Sequence, residues 1–358
     1  MNIDHVHFYV ENAEYWRDWF VEKLGLQLIS SQATADRLTV TLTQHNITVR
    51  LSSPRSPFSS VADYLRRHPA GVADLAFQVT SIERIVQRAM AIGAKLLLPI
   101  QIVPTQTGYQ KTACIQGWGD LQHTLIEPLD PVPNQTQSAE LIGESHIFTI
   151  DHVVLNVEQG NMLRAIAWYE QVFGLQRRQS FTIQTEHSAL CSQVLTDSNG
   201  SMQLPINEPA SAGSQVQEFL DWNRGAGIQH IALRTDNIVS VVNRLRRQGI
   251  TFLAVPAAYY QQLQQRPNCP LSPAELQSVA QQEVLVDWQC DRPEALLLQT
   301  FTQPIFAQPT FFFELIERRH YELNRQIRVA EGFGEGNFQA LFEAIEREQI
   351  KRGSLKLE

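Results

Sequence analysis

The sequence predicts an α+β fold of two tandem modules. Each module is built from paired βαβββ units that form an open barrel, and a lid helix follows the second. Three observations carry this reading. The opening Ile3-Asp4-His5-Val6 returns as Ile150-Asp151-His152-Val153, and each copy leads through a helical stretch to Gly-Leu, at Gly25-Leu26 and Gly174-Leu175. Gly71-Val72-Ala73-Asp74-Leu75-Ala76-Phe77 is echoed by Gly227-Ile228-Gln229-His230-Ile231-Ala232-Leu233. Thr124-Leu125-Ile126-Glu127 pairs with Glu314-Leu315-Ile316-Glu317.

Within each half the pattern reads strand, helix, strands, and then the same again. His152 to Val157 is rich in β-formers. Met162 to Val172 spaces Leu163, Ile166, Ala167, Tyr169 and Val172 as one face of a helix, with Gly174 as its C-terminal cap. Ile231-Ala232-Leu233 is a strand. Ile238 to Gln248 is a helix with Val241, Val242 and Leu245 on its apolar face, ended by Gly249. Ile82, Ile85, Val86 and Ala89, ended by Gly93, repeat it at the same distance from the preceding strand. The polar, proline-bearing stretch after Asp130 is the expected boundary: a first module over 1–130, a linker over 131–147 and a second module over 148–358. The final helix is expected over Phe338 to Gln349, with Leu341, Phe342 and Ile345 on one face.

Composition narrows the function classes. The chain has 358 residues, 43% of them hydrophobic, and a formal net charge of -8. That length exceeds what one core usually serves. Basic residues come only in short clusters such as Arg244-Leu245-Arg246-Arg247, which argues against a nucleic-acid surface. Cys114, Cys191, Cys269 and Cys290 have no CxxC spacing and form no disulfide framework, so a reduced, cytoplasmic protein is expected. The N-terminus lacks a signal-peptide pattern, and no apolar run approaches the ~20 residues that span a bilayer. No membrane partner is expected.

The asymmetry between the halves locates the chemistry. Aligned through the repeats, the second half offers His152, His230 and Glu314, each within a strand. Two imidazoles and one carboxylate can hold Fe(II) on one face and leave the opposite positions open. A structural zinc site is disfavoured by the lack of a cysteine ligand. Strand alternation turns Ala232 the same way as His230, and Phe312 the same way as Glu314. Phe311, Phe313 and Leu315 then face outward. A glutamate in so apolar a run needs a partner or a metal. Singly, each of these residues reads as an ordinary core or edge residue; at equivalent positions of a duplicated barrel they read as a metal site. The first half offers His5, Asp74 and Thr124, a poor completion, so one Fe(II) per chain is expected, in the second module only.

At Gly225 to Leu233, at Leu204-Pro205-Ile206-Asn207-Glu208-Pro209 and at Gly332-Phe333-Gly334-Glu335-Gly336-Asn337-Phe338 the chain resembles the 4-hydroxyphenylpyruvate dioxygenase family of the vicinal-oxygen-chelate superfamily. The resemblance is close over the C-terminal module and looser over the N-terminal one. It implies an Fe(II) enzyme that converts 4-hydroxyphenylpyruvate and O2 to homogentisate and carbon dioxide, through oxidative decarboxylation, ring hydroxylation and side-chain migration. Homogentisate would feed tyrosine catabolism or plastoquinone and tocopherol synthesis. The resemblance assigns His152, His230 and Glu314 as iron ligands and Gln229, Gln299 and Asn207 as catalytic amides. Ser192, Pro205, Asn207, Gln215, Gln229, Gln299, Phe301, Phe312, Phe333, Asn337, Phe338 and Leu341 would line the substrate pocket. Phe301 and Phe338 would sandwich the ring, and the final helix would cover the pocket mouth. A homo-oligomer, dimer or tetramer, is expected. The segment from Arg319 to Ala330 is longer than the family's usual link, and its path stays open. Three alternatives remain: 4-hydroxymandelate synthase, which hydroxylates the benzylic carbon of the same substrate, an extradiol catechol dioxygenase on the same barrels, and a non-enzymatic small-molecule binding protein of the glyoxalase/bleomycin-resistance type.

Overall fold

The computed structural model describes residues 1–105, 108–129, 147–185, 187–200, 202–289 and 292–355. The expected linker lies outside these residues except for Ile147, where the second module begins. Cys290 also lies outside them.

The first module runs β1 (Asn2–Tyr9), α1 (Ala13–Trp19) with a π-helical turn (Phe20–Leu24), β2 (Gln27–Ala33), β3 (Arg37–Gln44) and β4 (Ile47–Pro54). It continues with α2 (Ser60–Arg67), β5 (Gly71–Gln78), α3 (Ile82–Ala91), β6 (Leu96–Thr105), β7 (Gly108–Gln116) and β8 (Gln122–Pro128). The second repeats the order: β9 (Ile147–Asn156), α4 (Met162–Phe173), β10 (Gln176–Gln184), β11 (Ala189–Thr196), β12 (Gln203–Pro209), α5 (Gln215–Asn223), β13 (Gly227–Thr235) and α6 (Ile238–Arg247). Then come α7 (Ala257–Gln265), α8 (Pro273–Gln281), β14 (Leu285–Gln289), β15 (Arg292–Phe301) and β16 (Phe312–Arg318). A hairpin of β17 (His320–Leu323) and β18 (Gln326–Val329) and the final helix α9 (Phe338–Arg352) complete the chain.

The duplication is visible in the sheets. The strand order β2-β3-β4-β1-β5-β8-β7-β6 of the first sheet is matched by β10-β11-β12-β9-β13-β16-β15-β14 in the second. In each, the two units meet through one antiparallel pair, β1 with β5 and β9 with β13, flanked by parallel pairs. The third sequence echo is structural as well: Glu127 Oε2 accepts the Ile82 N–H at 2.8 Å, and Glu317 Oε2 accepts the Ile238 N–H at 2.8 Å. In each module a strand carboxylate thus satisfies a free amide at a helix start.

Alternation behaves as expected around the second sheet. Ile231, Leu233, Phe311, Phe313 and Leu315 join the large core, whereas Ala232 packs with Leu297 and Ile316 on the inner face. The outward phenylalanines also meet the first module, with Phe311 5.0 Å from Phe8 and Phe313 6.1 Å from Phe20, ring to ring. One core therefore joins the two curled sheets. Gly174 ends α4 in the left-handed region at φ 73°, as Gly25 does after α1 at φ 79°. The open segment after Arg319 is the β17–β18 hairpin, turned by Asn324 (φ 53°) and Arg325 (φ 61°) as a two-residue turn matched to strand twist. Helices α7 and α8 are additions to the expected pattern. The signal for α8 was present in Ser272-Pro273-Ala274-Glu275, which forms a capping box with proline at the start. No helix among the described residues is long and apolar enough to cross a membrane.

His123 on β8 links the modules from inside. Its Nδ1 lies 3.0 Å from the Leu75 carbonyl and its Nε2 3.0 Å from the Tyr169 hydroxyl of α4. Burial lowers its pKa from 6.5 to about 4. Below pH ~6.5 the unfolded chain therefore binds the proton that the folded chain refuses. This contribution to stability is complete above ~6.5 and is lost as pH falls toward 4. Urea unfolding at pH 7.5 and pH 5 should show a smaller acid-induced loss in His123→Gln than in the native chain. Equal losses would remove His123 from the acid response.

Candidate metal centre and pocket

Three strands of the second module bring His152, His230 and Glu314 together. One donor atom of each lies within 4.8 Å of the others. Glu314 Oε2 is 3.2 Å from His152 Nε2 and 3.5 Å from His230 Nε2. Burial opposes charge at all three residues. For His152 the attraction of Glu314 and the bond to Asp151 outweigh it, raising the imidazole to about 9. For Glu314 the two histidines outweigh it, lowering the carboxyl to about 2. For His230 burial prevails and its pKa falls. Without an ion, the cluster thus holds a proton between His152 and a carboxylate that points at both rings. A divalent cation fits the same donors: two imidazole nitrogens and one carboxylate oxygen, with nothing softer among them.

Groups behind the ligands fix their aim. Asp151 Oδ1 lies 3.0 Å from His152 Nδ1, leaving Nε2 to face Glu314. Asp151 in turn accepts from Arg318 Nε and Nη2, both at 2.7 Å. Arg318 Nη1 donates to the carbonyls of Ala330 (3.1 Å) and Gly332 (2.9 Å), where the chain turns toward the final helix. On the other side, Gln299 Nε2 donates to Glu314 Oε1 and to the Phe333 carbonyl, each at 2.9 Å. Asn337 Nδ2 donates to Gln299 Oε1 at 3.0 Å, and the Tyr259 hydroxyl donates to Asn337 Oδ1 at 2.9 Å. Gly334 is required here, because a Cβ there would meet Gln299 Oε1 at 1.8 Å and its φ is +75°.

A cavity opens above this cluster. Of the residues expected to line it, Ser192, Pro205, Asn207, Gln215, Gln229, Gln299, Phe301, Phe312, Phe333, Phe338 and Leu341 do so. Asn337 instead stands one hydrogen bond behind, holding Gln299. Gln215 is the first residue of α5 rather than part of a loop. Gln229 and His230 are adjacent in sequence yet both reach the cavity, because the β9–β13 ladder slips between Ile228 and His230. Phe338 packs against Phe181 at 4.7 Å, and Phe301 against Phe312 at 6.2 Å. Phe181, Ile183, Leu190, Phe342 and Ile345 add apolar wall that the motifs did not announce. Ser192 Oγ and Asn156 Nδ2 are buried without a hydrogen-bond partner, and Asn156 Oδ1 accepts from Asn207 Nδ2 at 3.3 Å. The cavity is therefore apolar and aromatic, with the Ser192 hydroxyl and the Asn207, Gln215 and Gln229 amides in its lining.

Helix α9 forms one wall through Phe338, Leu341, Phe342 and Ile345. Its far end is tied down where Arg352 Nη2 donates to Glu218 Oε2 at 2.9 Å.

In the first module His5 and Asp74 are also close, but Thr124 does not complete a ligand set. Its backbone N–H (2.8 Å) and hydroxyl (2.5 Å) both donate to the Asp74 carboxylate. His7, absent from the aligned set, lies beside them.

Known proteins resemble this chain over nearly its whole length. The profile of the glyoxalase/bleomycin resistance protein/dioxygenase superfamily matches residues 2–126 and 149–265. An uncharacterized protein of Synechocystis sp. is 37% identical, covering 97% of each chain. The 4-hydroxyphenylpyruvate dioxygenase of Dictyostelium discoideum is 35% identical over 98% of this chain and 99% of its own. Among solved structures, a mutant 4-hydroxymandelate synthase from Streptomyces coelicolor superposes with a TM-score of 0.83 at 27% identity, over 97% of this chain and 98% of its own.

Proposed function

The chain belongs to the glyoxalase/bleomycin resistance protein/dioxygenase superfamily and, within it, to the 4-hydroxyphenylpyruvate dioxygenase family, and from that premise we propose that it is an Fe(II)-dependent dioxygenase. Its substrates are 4-hydroxyphenylpyruvate and O2, and its products homogentisate and carbon dioxide. The observation that carries this reading is the pairing of one His152–His230–Glu314 cluster with an aromatic-walled cavity that also presents Ser192, Asn207 and Gln229.

Bound iron would supply the redox chemistry and a template for the ketoacid and oxygen. The chain's own residues do the rest. His152, His230 and Glu314 would hold the ion, with the cavity beside them. Asp151 and Gln299 keep His152 and Glu314 in place when the proton between them is displaced. Asn207 and Gln229 are amides that can both donate and accept, which suits a neutral phenol and a ketoacid, while Gln299, with both N–H groups given to Glu314 and the Phe333 carbonyl, can offer only its carbonyl oxygen. Phe301, Phe312, Phe333 and Phe338 present ring faces and edges to an aromatic ligand. Helix α9 excludes water from the reacting end, so the substrate is aimed before reaction.

The structural likeness to a 4-hydroxymandelate synthase supports a second reading, in which the same substrate is hydroxylated at its benzylic carbon. Product analysis separates the two. Purified chain reconstituted with Fe(II) should convert 4-hydroxyphenylpyruvate and O2 to homogentisate, identified by chromatography and mass. If 4-hydroxymandelate is the product, the second reading is correct. If the ketoacid is not consumed, both fail.

A further inference from the structure

We propose that the first module carries a second metal site of its own, in which His5, His7 and Asp74 bind a divalent cation of the zinc class. This goes beyond the catalytic reading, which concerns the second module alone.

The three side chains are buried, and one donor atom of each lies within 4.8 Å of the other two. His5 on β1 occupies the place that His152 holds on β9, and it keeps the same support. Its Nδ1 lies 2.6 Å from Asp4 Oδ1, as His152 Nδ1 lies near Asp151. That leaves Nε2, which is buried and has no hydrogen-bond partner. An orphaned imidazole nitrogen beside a carboxylate and a second imidazole is costly in a core and explicable at a metal site.

The other two donors have changed places rather than disappeared. Where the second module uses a histidine on β13 and a carboxylate on β16, the first has its carboxylate, Asp74, on β5 and its second histidine on β1. His7 and Asp74 lie directly opposite in the antiparallel β1–β5 register. The residue at the Glu314 position, Thr124, gives both its N–H and its hydroxyl to Asp74 and so fixes the carboxylate. An ionised carboxylate has about four acceptor sites, so two remain for an ion. His7 Nε2 is 2.8 Å from Ser52 Oγ, but that hydroxyl also lies 2.7 Å from Thr39 Oγ1 and so keeps a partner if His7 turns to an ion.

Two imidazoles and one carboxylate suit a borderline divalent cation, zinc and cobalt as well as iron, with one further position for water. Arg50 interacts electrostatically with Asp4 and Asp74, and Arg37 with His7, which holds the affinity below that of an acid-rich site. With three protein donors from two paired strands, the site would tie β1 to β5 and keep one position open, unlike a closed cysteine-type structural zinc site.

Cobalt(II) chloride titrated into the full chain tests this, after the second-module site is removed by His152→Ala with His230→Ala. The expected result is about one cobalt per chain with visible absorption, displaced by zinc, and a rise in Tm on zinc addition. Adding Asp74→Asn or His5→Ala should abolish all three signals. A folded chain that binds no cobalt overturns the proposal, as does cobalt binding that survives Asp74→Asn. If the double variant does not fold, the native chain decides: two cobalt equivalents, reduced to one by Asp74→Asn, support the site, and a single equivalent refutes it. Because the measurement needs no turnover, it stands apart from the proposed dioxygenase activity.

Discussion

Glu314→Gln is expected to lose the catalytic metal and all measurable turnover while remaining folded. Gln has nearly the same shape but no charge, so it leaves two buried imidazoles facing a neutral amide. Groups one bond behind a metal ligand typically change affinity 10- to 100-fold. Loss of the charged ligand itself should exceed ~100-fold. The metal-free chain should also change its pH response. In the native chain, Glu314 contributes stability that is full above ~4.5 and lost as pH falls through about 2. His152, raised to about 9, contributes stability that is full below ~6.5 and lost as pH rises through about 9. Metal binding displaces that proton, so iron affinity should climb toward pH 9. The variant should lose the acid limb and only part of the alkaline one, because Asp151 still favours the charged His152. Metal content of the purified proteins, with unfolding curves from pH 3 to pH 9, checks this. Native metal affinity in Glu314→Gln would exclude it as a ligand.

The His152–His230–Glu314 cluster was legible because the duplication marks equivalent positions. The histidine of each Ile-Asp-His-Val repeat and the one in Gly-Ile-Gln-His could be placed on strands before any coordinates. Period-two alternation then separated Phe312 and Glu314 from Phe311 and Phe313, and the structure keeps that division. Gln229 shows where alternation stops: parity puts it opposite His230, and only the slip in the β13 ladder turns both inward. Support for the ligands was not legible at all. Tyr259 and Asn337 are 78 residues apart and Asp151 and Arg318 are 167 apart, and no local pattern marks either pair. His7 was hidden for a different reason. It lies two residues along β1 from His5, outside the positions that the repeats align with His152, His230 and Glu314.

The largest effect on stability is expected at Arg318, which no motif singled out. It is buried and joins three parts of the site: the Asp151 carboxylate behind His152, and the carbonyls of Ala330 and Gly332 before α9. Burial opposes the ionisation of Asp151, yet the hydrogen bonds and charge of Arg318 hold its carboxyl far below the ordinary range. In Arg318→Met that carboxylate stays in the core with only His152 beside it. Removing one partner of a buried ion pair typically costs about 3 to 5 kcal/mol. Each carbonyl left without a donor adds about 1 to 3 kcal/mol where water cannot reach it. Adding Asp151→Asn should recover part of the lost stability, since the uncompensated charge is then gone. It should not recover metal affinity, because the asparagine no longer offers His152 a carboxylate and Gly332 is still untethered. Urea unfolding and iron titration of the two single variants and the double variant separate these effects. A single Arg318→Met variant within ~0.5 kcal/mol of the native chain would show that water or another donor replaces the guanidinium. Equal stability of the single and double variants would show that the charge of Asp151 is not what Arg318 compensates.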